Sequence, residues 1–211
     1  MCNLYKPHQT AEEINRLFTA ADHTGNQPWP ADAYPDRLAP IIRHGPDGAE
    51  IVQARWGMPT PPAYLPASGR DSGVTNIRNT GSPHWRRWLA PVHRCLVPLT
   101  AFSEPGRDRK PVWFEMGDGS PIMLAGIEVR GWKSIRKVKD GETVDDLFGF
   151  LTCPPNAEIG TIHPKAMPVI LTSREEVETW LTAEWHEAKA LQRPLPSGLL
   201  EIVEAPAARA G

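Results

Sequence analysis

Proline and glycine punctuate this chain so densely that long helices have little room to form. Proline removes a helical hydrogen bond and glycine weakens a helix interior. With 23 prolines and 17 glycines, the sequence is suited to many short strands joined by turns. Leu38–His44 and Glu50–Trp56 read as two strands that turn at Gly45-Pro46-Asp47-Gly48. Cys95–Phe102 reads as a mostly apolar strand. Pro111–Met116 and Ile122–Val129 form a further pair around Gly117-Asp118-Gly119. Leu147–Cys153 is another strand, and Glu201–Val203 a last one. Lys133–Asp145 is charged and reads as a solvated excursion. Pro154-Pro155-Asn156 reads as a loop, and an apolar run follows over Val169–Leu171.

Three helices fit between these strands. Thr10–Ala21 carries Ile14, Leu17 and Phe18 on one face, with Thr10 and Glu13 spaced as a capping box. Ser82-Pro83 is a start signal ahead of Trp85, Trp88 and Leu89. Ser173 and Glu176 form a second capping box ahead of Val177, Trp180 and Leu181. No internal repeat or interdomain linker interrupts the pattern. The expected fold is one α+β domain over residues 1–204, mainly antiparallel, barrel-like β-sheet with a few flanking helices. A flexible tail is expected over 205–211.

The formal net charge is −2, so no global polycation draws the chain to nucleic acid. Three cysteines without metal-ligand spacing argue for a reducing compartment, not a disulfide framework or a metal site. The start MCNLYKPHQTAEEIN lacks the apolar core of a secretory signal, and no apolar run approaches a membrane span. A cytoplasmic monomer with no cofactor and no membrane contact is expected.

Cys2 brings a particular reagent. If Met1 is removed, one residue carries both an α-amine and a thiol, with ordinary pKa values of about 7.7 and 8.5. The amine can condense with an aldehyde, and the thiol can close on the imine to give a five-membered thiazolidine. Taken alone, Cys2 reads as an ordinary cysteine on a chain end, and only the rest of the chain reverses that reading.

Residues 68–110 supply a second signal. They hold Arg70, Arg78, Arg86, Arg87, Arg94, Arg107, Arg109 and Lys110 against Asp71, Glu104 and Asp108. Trp85 and Trp88 lie among them and Trp56 is near in sequence. Arginines with aromatic faces are the ingredients of a single-stranded nucleic-acid groove, although Trp88 itself reads as core. Glu104 ends an apolar strand, where burial would raise its pKa into a range useful for proton transfer. His163 lies in a proline-flanked turn and is a possible acid/base. Asn76 and Asn79 are turn formers first and ligands second.

Together these pieces resemble the SOS-response-associated peptidase (SRAP) family, whose members act on abasic sites in single-stranded DNA. The resemblance runs from residue 1 to the helix after Ser173. It rests on Met1-Cys2, Arg55-Trp56-Gly57-Met58-Pro59, Asn76-Ile77-Arg78, Arg94-Cys95-Leu96-Val97-Pro98, Glu104, Ala125-Gly126-Ile127, Leu151-Thr152 and Ile162-His163 through Met167-Pro168. It implies that Cys2 is the nucleophile, exposed by self-removal of Met1. Asn76 would position the α-amine and the sugar. Glu104 would move protons during Met1 removal and ring closure, and His163 would open the deoxyribose. Arg78, Arg86, Thr152 and Trp56 would contact the DNA. Where the family usually has Gly-Arg after Met-Cys, this chain has Asn3-Leu4.

The resemblance thus implies an abasic-site processing protein that forms a covalent thiazolidine crosslink through Cys2 and shields the strand. Two other classes stay open on the residues alone. One is a cysteine peptidase acting on proteins through Cys2, His163 and Asn76. The other is a non-covalent binder of single-stranded DNA.

Overall fold

The computed structural model describes residues 2–8, 10–15, 19–25 and 29–204. Among these residues twelve strands join one sheet system: β1 (Leu4–Pro7), β2 (Ala21–Asp22), β3 (Leu38–Gly45), β4 (Gly48–Trp56), β5 (Asn76–Ile77), β6 (Arg94–Pro105), β7 (Pro111–Met116), β8 (Ile122–Ser134), β9 (Thr143–Cys153), β10 (Met167–Pro168), β11 (Ile170–Leu171) and β12 (Leu200–Val203). Among the described residues five α-helices flank them: α1 (Ala11–Asn15), α2 (Pro83–Arg86), α3 (Ala157–Ile162), α4 (Arg174–Thr182) and α5 (Trp185–Ala188).

The order β8-β9-β4-β3-β6 closes on itself because β6 also pairs with β8, giving a five-stranded barrel. All of its joints are antiparallel except β4 with β9, where Arg55 and Trp56 run parallel to Leu147 and Phe148. The expected α+β, barrel-like single domain is therefore observed, as a mixed barrel. Closure leaves those five strands without a free barrel edge. Trp56, Phe148, Phe150, Ile41, Ile42, Leu96 and Ile127 are among its fully buried side chains.

β6 organises the rest. Its first half lies in the barrel, with Arg94–Leu99 opposite Ile127–Ile122 of β8. Its second half pairs with β1 on one side, Ser103 opposite Leu4, and with β7 on the other, Glu104 opposite Val112. At the barrel-embedded end, Arg43 of β3 ties neighbouring strands together. It donates to Glu50 at 2.7 Å, to Glu128 at 3.2 Å and to Asp146 at 2.8 Å.

The hairpin at Gly45–Gly48 and strand Pro111–Met116 fall where the sequence puts them. Two expectations need correcting. The first helix is helical over Ala11–Asn15, and Ala21 and Asp22 instead pair in parallel with β4. Leu17, Phe18, the side chain of Glu13, Met1 and the 205–211 tail lie outside the described residues. The charged stretch Lys133–Asp145 is not wholly an excursion. Lys133 and Ser134 pair with Val144 and Thr143, so the hairpin extends past a bulge after Val129. Pairing with backbone groups, which any side chain permits, overrides polar composition there.

The cap signals at Ser82 and Ser173 work, with one adjustment. Ser82 Oγ accepts from the His84 N–H and Ser173 Oγ from the Glu176 N–H. The Glu176 carboxylate closes the second box on Thr172 N at 2.8 Å, one residue ahead of the cap. Among the described residues no helix is long and apolar enough to cross a membrane.

Candidate active site at the amino terminus

Cys2 precedes β1, and pairing of β1 with the far half of β6 carries it alongside Glu104. Cys2 and Glu104 are each 1% exposed. The Cys2 thiol points to Leu4 O at 3.6 Å, and Ser103 Oγ donates to the same carbonyl at 3.1 Å. Burial, then the neighbouring Glu104 carboxylate, push the thiol far above its ordinary pKa. Burial likewise raises Glu104, while the amino terminus and the Cys2 N–H pull its pKa back. The sequence expectation for Glu104 is thus met in direction and cause.

Asn76 reaches the same point from the opposite side. It lies on β5, which runs parallel to β9 with Asn76 beside Phe150. Its amide donates to Cys2 O at 2.9 Å and to Thr75 Oγ1 at 2.8 Å. These two acceptors fix which way the amide faces. Asn76 Oδ1 is buried without a hydrogen-bond partner, an unused acceptor beside Cys2. The approach to β5 depends on Gly73, which has φ +78°, and whose hypothetical Cβ would lie 2.8 Å from Gly57 Cα.

Trp56 does not present a stacking face. It is 0% exposed, with its ring centroid 5.0 Å from Tyr5, 5.3 Å from Phe150 and 6.4 Å from Phe148. The expected DNA contact by Trp56 is therefore corrected. Its indole N–H instead donates to Thr75 O at 3.2 Å, anchoring the residue just before Asn76. Strand alternation places position 56 inward, and the barrel closes over it.

Thr152 is similarly covered, at 2% exposure, with its hydroxyl on Ile77 O at 3.4 Å. That placement supports β5 from below and withholds the side chain from solvent, a correction to its expected DNA contact. Arg78 and Arg86 are exposed. Arg78 leans on Lys165 O at 3.2 Å. Lys165 belongs to the turn after α3, held by Met167 and Pro168 opposite Cys153 and Thr152.

His163 caps the C-terminus of α3, with its N–H on Ile159 O at 2.7 Å, and its ring is partly exposed. Burial, the positive amino terminus and Lys165 hold its pKa below the usual histidine value. The structure thus gathers Cys2, Asn76 and Glu104 around one point, with His163 within the electrostatic reach of the same terminus. The helix that presents His163 went unread in the sequence. Its signal was Asn156, whose side chain accepts from Ile159 N at 3.1 Å as an N-cap.

The basic stretch separates into different jobs. Arg94 is fully buried and donates to Leu89 O, to Trp180 O at 2.8 Å and to Ala183 O at 2.6 Å. It ties down the end of α4 instead of facing a ligand. Trp85 and Trp88 are buried, Trp88 beneath the Arg87 guanidinium. Gln192, whose signal in sequence was nil, joins Arg78 O at 2.9 Å to Thr152 O at 3.0 Å.

A family model described as SOS response associated peptidase (SRAP) matches residues 1–207. Comparison with curated proteins gave no match. A crystal structure of a protein from Bordetella bronchiseptica is 26% identical, with 97% of this chain and 100% of that one covered and a TM-score of 0.73. A protein from Bacteroides thetaiotaomicron is similar at 20% identity, 96% and 92% coverage and TM-score 0.75. A phage-related protein from Bordetella bronchiseptica follows at 17% identity, 97% and 94% coverage and TM-score 0.65. The last two share the fold.

Proposed function

This chain belongs to the SOS response associated peptidase family, and from that premise we propose that it captures abasic sites in single-stranded DNA as a thiazolidine on Cys2. The observation that carries the reading is the convergence on Cys2 of a buried carboxylate, Glu104, and a buried amide, Asn76, whose Oδ1 has no partner. After Met1 is removed, that free acceptor suits an N–H of the new α-amine. Asn76 Nδ2 meanwhile holds the Cys2 carbonyl.

The chemistry balances on these groups. The ring-opened deoxyribose offers an aldehyde carbon. The α-amine adds to it and water leaves, giving an imine. The thiol sulfur then bonds to the imine carbon while its proton passes, through Glu104, to the nitrogen. The product carbon carries both N and S and lacks the C=N bond that would promote β-elimination of the strand. A thiol raised by burial needs a base at hand, and a carboxylate raised by the same burial is a better base than an ordinary one. His163, half-exposed and held neutral, is suited to relaying a proton to the sugar ring oxygen. The same set suits Met1 removal, in which water adds to the Met1 carbonyl carbon, the Met1–Cys2 peptide bond breaks, Glu104 passes a proton to the departing Cys2 amine and free methionine leaves.

A cysteine peptidase acting on other proteins is less well supported. Its nucleophile is normally activated by a lowered thiol pKa beside an imidazolium, whereas burial and Glu104 raise the Cys2 thiol.

The test is intact mass after incubation with a single-stranded oligonucleotide carrying one abasic site. The expected species is the Met1-free protein plus the oligonucleotide less one water, absent for Cys2→Ala. A protein that keeps Met1 and still crosslinks would sink the mechanism.

A further inference from the structure

Ser103 has no part in the chemistry above, yet its side chain is tied to the same atom as the Cys2 thiol. It stands on β6 between Phe102 and Glu104, directly opposite Leu4 of β1, and is buried. A buried hydroxyl needs an acceptor. Ser103 Oγ donates to Leu4 O at 3.1 Å, and Leu4 O is also the oxygen to which the Cys2 thiol points at 3.6 Å. One carbonyl thus faces two donors of unequal strength, since a hydroxyl donates well and a thiol weakly.

The sharing matters when the sulfur loses its proton. An S–H resting on a carbonyl is held by it, and a sulfur that has become negative is repelled by the same oxygen. A hydroxyl already donating to that oxygen weakens both effects. It leaves the carbonyl a poorer acceptor for S–H, and its positive end offsets part of the oxygen's charge. The groups around the sulfur pull in opposite directions. Burial, then the Glu104 carboxylate, disfavour the charged form, while backbone hydrogen bonds from Leu4 and Ser103 and the amino terminus favour it. Tyr5, the next titratable group along β1, is kept protonated by its own burial. Ser103 therefore serves the charged sulfur through its backbone and, by way of Leu4 O, through its side chain.

We propose that Ser103 is a positioning residue for the thiol step: its hydroxyl takes up the Leu4 carbonyl, so that the Cys2 thiol gives its proton to Glu104 instead of resting on that oxygen. This rests on the thiazolidine reading above and adds to it a residue that touches neither DNA nor the reacting carbon. In that step the S–H bond breaks, the proton passes to the Glu104 carboxylate and on to the imine nitrogen, and the sulfur bonds to the imine carbon. An imine that waits longer for the sulfur is open for longer to β-elimination, so Ser103 also sets how much strand is captured and how much is cut.

The experiment uses full-length, Met1-free protein with Ser103→Ala and Ser103→Thr. Alanine removes one oxygen, and threonine keeps the hydroxyl. Without DNA, iodoacetamide alkylation of Cys2, followed by peptide mass mapping to separate it from Cys95 and Cys153, should slow roughly five-fold in Ser103→Ala, the worth of one ordinary hydrogen bond. Ser103→Thr should restore the rate. With a single-stranded oligonucleotide carrying one abasic site, Ser103→Ala should raise the ratio of cut to crosslinked strand by a similar factor. Its affinity for a tetrahydrofuran abasic analogue, read by fluorescence anisotropy, should match the parent's. Parental alkylation and a parental ratio in Ser103→Ala would overturn the proposal. A loss of analogue binding as large as the loss of rate would also overturn it, by making Ser103 a residue of the fold alone. If the parent forms no crosslink, the underlying reading fails, while alkylation still decides whether Ser103 sets the reactivity of the thiol.

Discussion

Asn76 donates its side-chain amide to the backbone carbonyl of Cys2 at 2.9 Å, across 74 residues of sequence. The bond joins a two-residue strand to the start of the chain and leaves Asn76 Oδ1 facing the site unpaired. An orientation set this way is sensitive to small displacements. Asn76→Ala should slow crosslinking by roughly 10²-fold, the cost of misplacing reacting groups by about 1 Å. A time course on denaturing gels measures it. An unchanged rate would show that Asn76 serves only to hold the fold.

His163 and Glu104 should separate two steps. His163→Ala is expected to slow crosslinking within the roughly 10²–10⁴-fold span of a lost general acid/base, yet to leave Met1 removal largely intact. Glu104→Gln should impair Met1 removal too. Crosslink formation and Met1 occupancy, the latter by mass spectrometry, are followed side by side for each variant. Fully processed Glu104→Gln that crosslinks at the normal rate would overturn the assignment.

Glu104 also makes a stability prediction. Its folded pKa is raised above the ordinary carboxylate value, first by burial. The folded state therefore holds its proton more tightly than the unfolded chain does. The stability this contributes is present below the unfolded pKa of about 4.5 and is lost as pH rises through the folded value. Glu104→Gln cannot ionise, so its stability relative to the parent should improve between about pH 4 and pH 7. Urea unfolding at several pH values measures the trend, and a relative stability that falls over that range would contradict the shift.

Arg78 is exposed beside Lys165, where a backbone phosphate could reach it. Arg78→Ala should weaken single-stranded DNA binding and lower the salt slope by about 0.7. An unchanged slope would place Arg78 outside the DNA path.

Trp56 tests the difference between touching a ligand and positioning a residue that does. Trp56→Phe removes the indole N–H bond to Thr75 O but keeps an aromatic ring in the barrel. It should slow crosslinking more than it weakens binding of a non-reactive analogue. Equal effects on both would favour a direct contact, against its burial.

What the sequence determined by itself was local. The proline and glycine pattern excludes long helices, the Gly45–Gly48 turn pairs β3 with β4, and Ser82 and Ser173 start their helices because caps and turns act over a few residues. The order of the motifs around Cys2, Asn76, Glu104 and His163 was sufficient to identify the family. What the tertiary structure decided was which of those side chains face anything. Trp56 and Arg78 both sit in motifs that read as DNA contacts, yet one points into a closed barrel and the other outward. Arg94 looked like one more basic residue of a groove, but four backbone-directed hydrogen bonds hold it in the interior. Gln192 had no signal and joins two parts of the site. The closure of β6 on β8 and the parallel joint of β4 with β9 link residues far apart in sequence. Facing direction and long-range contact depend on that closure, whereas composition and spacing report only on near neighbours along the chain.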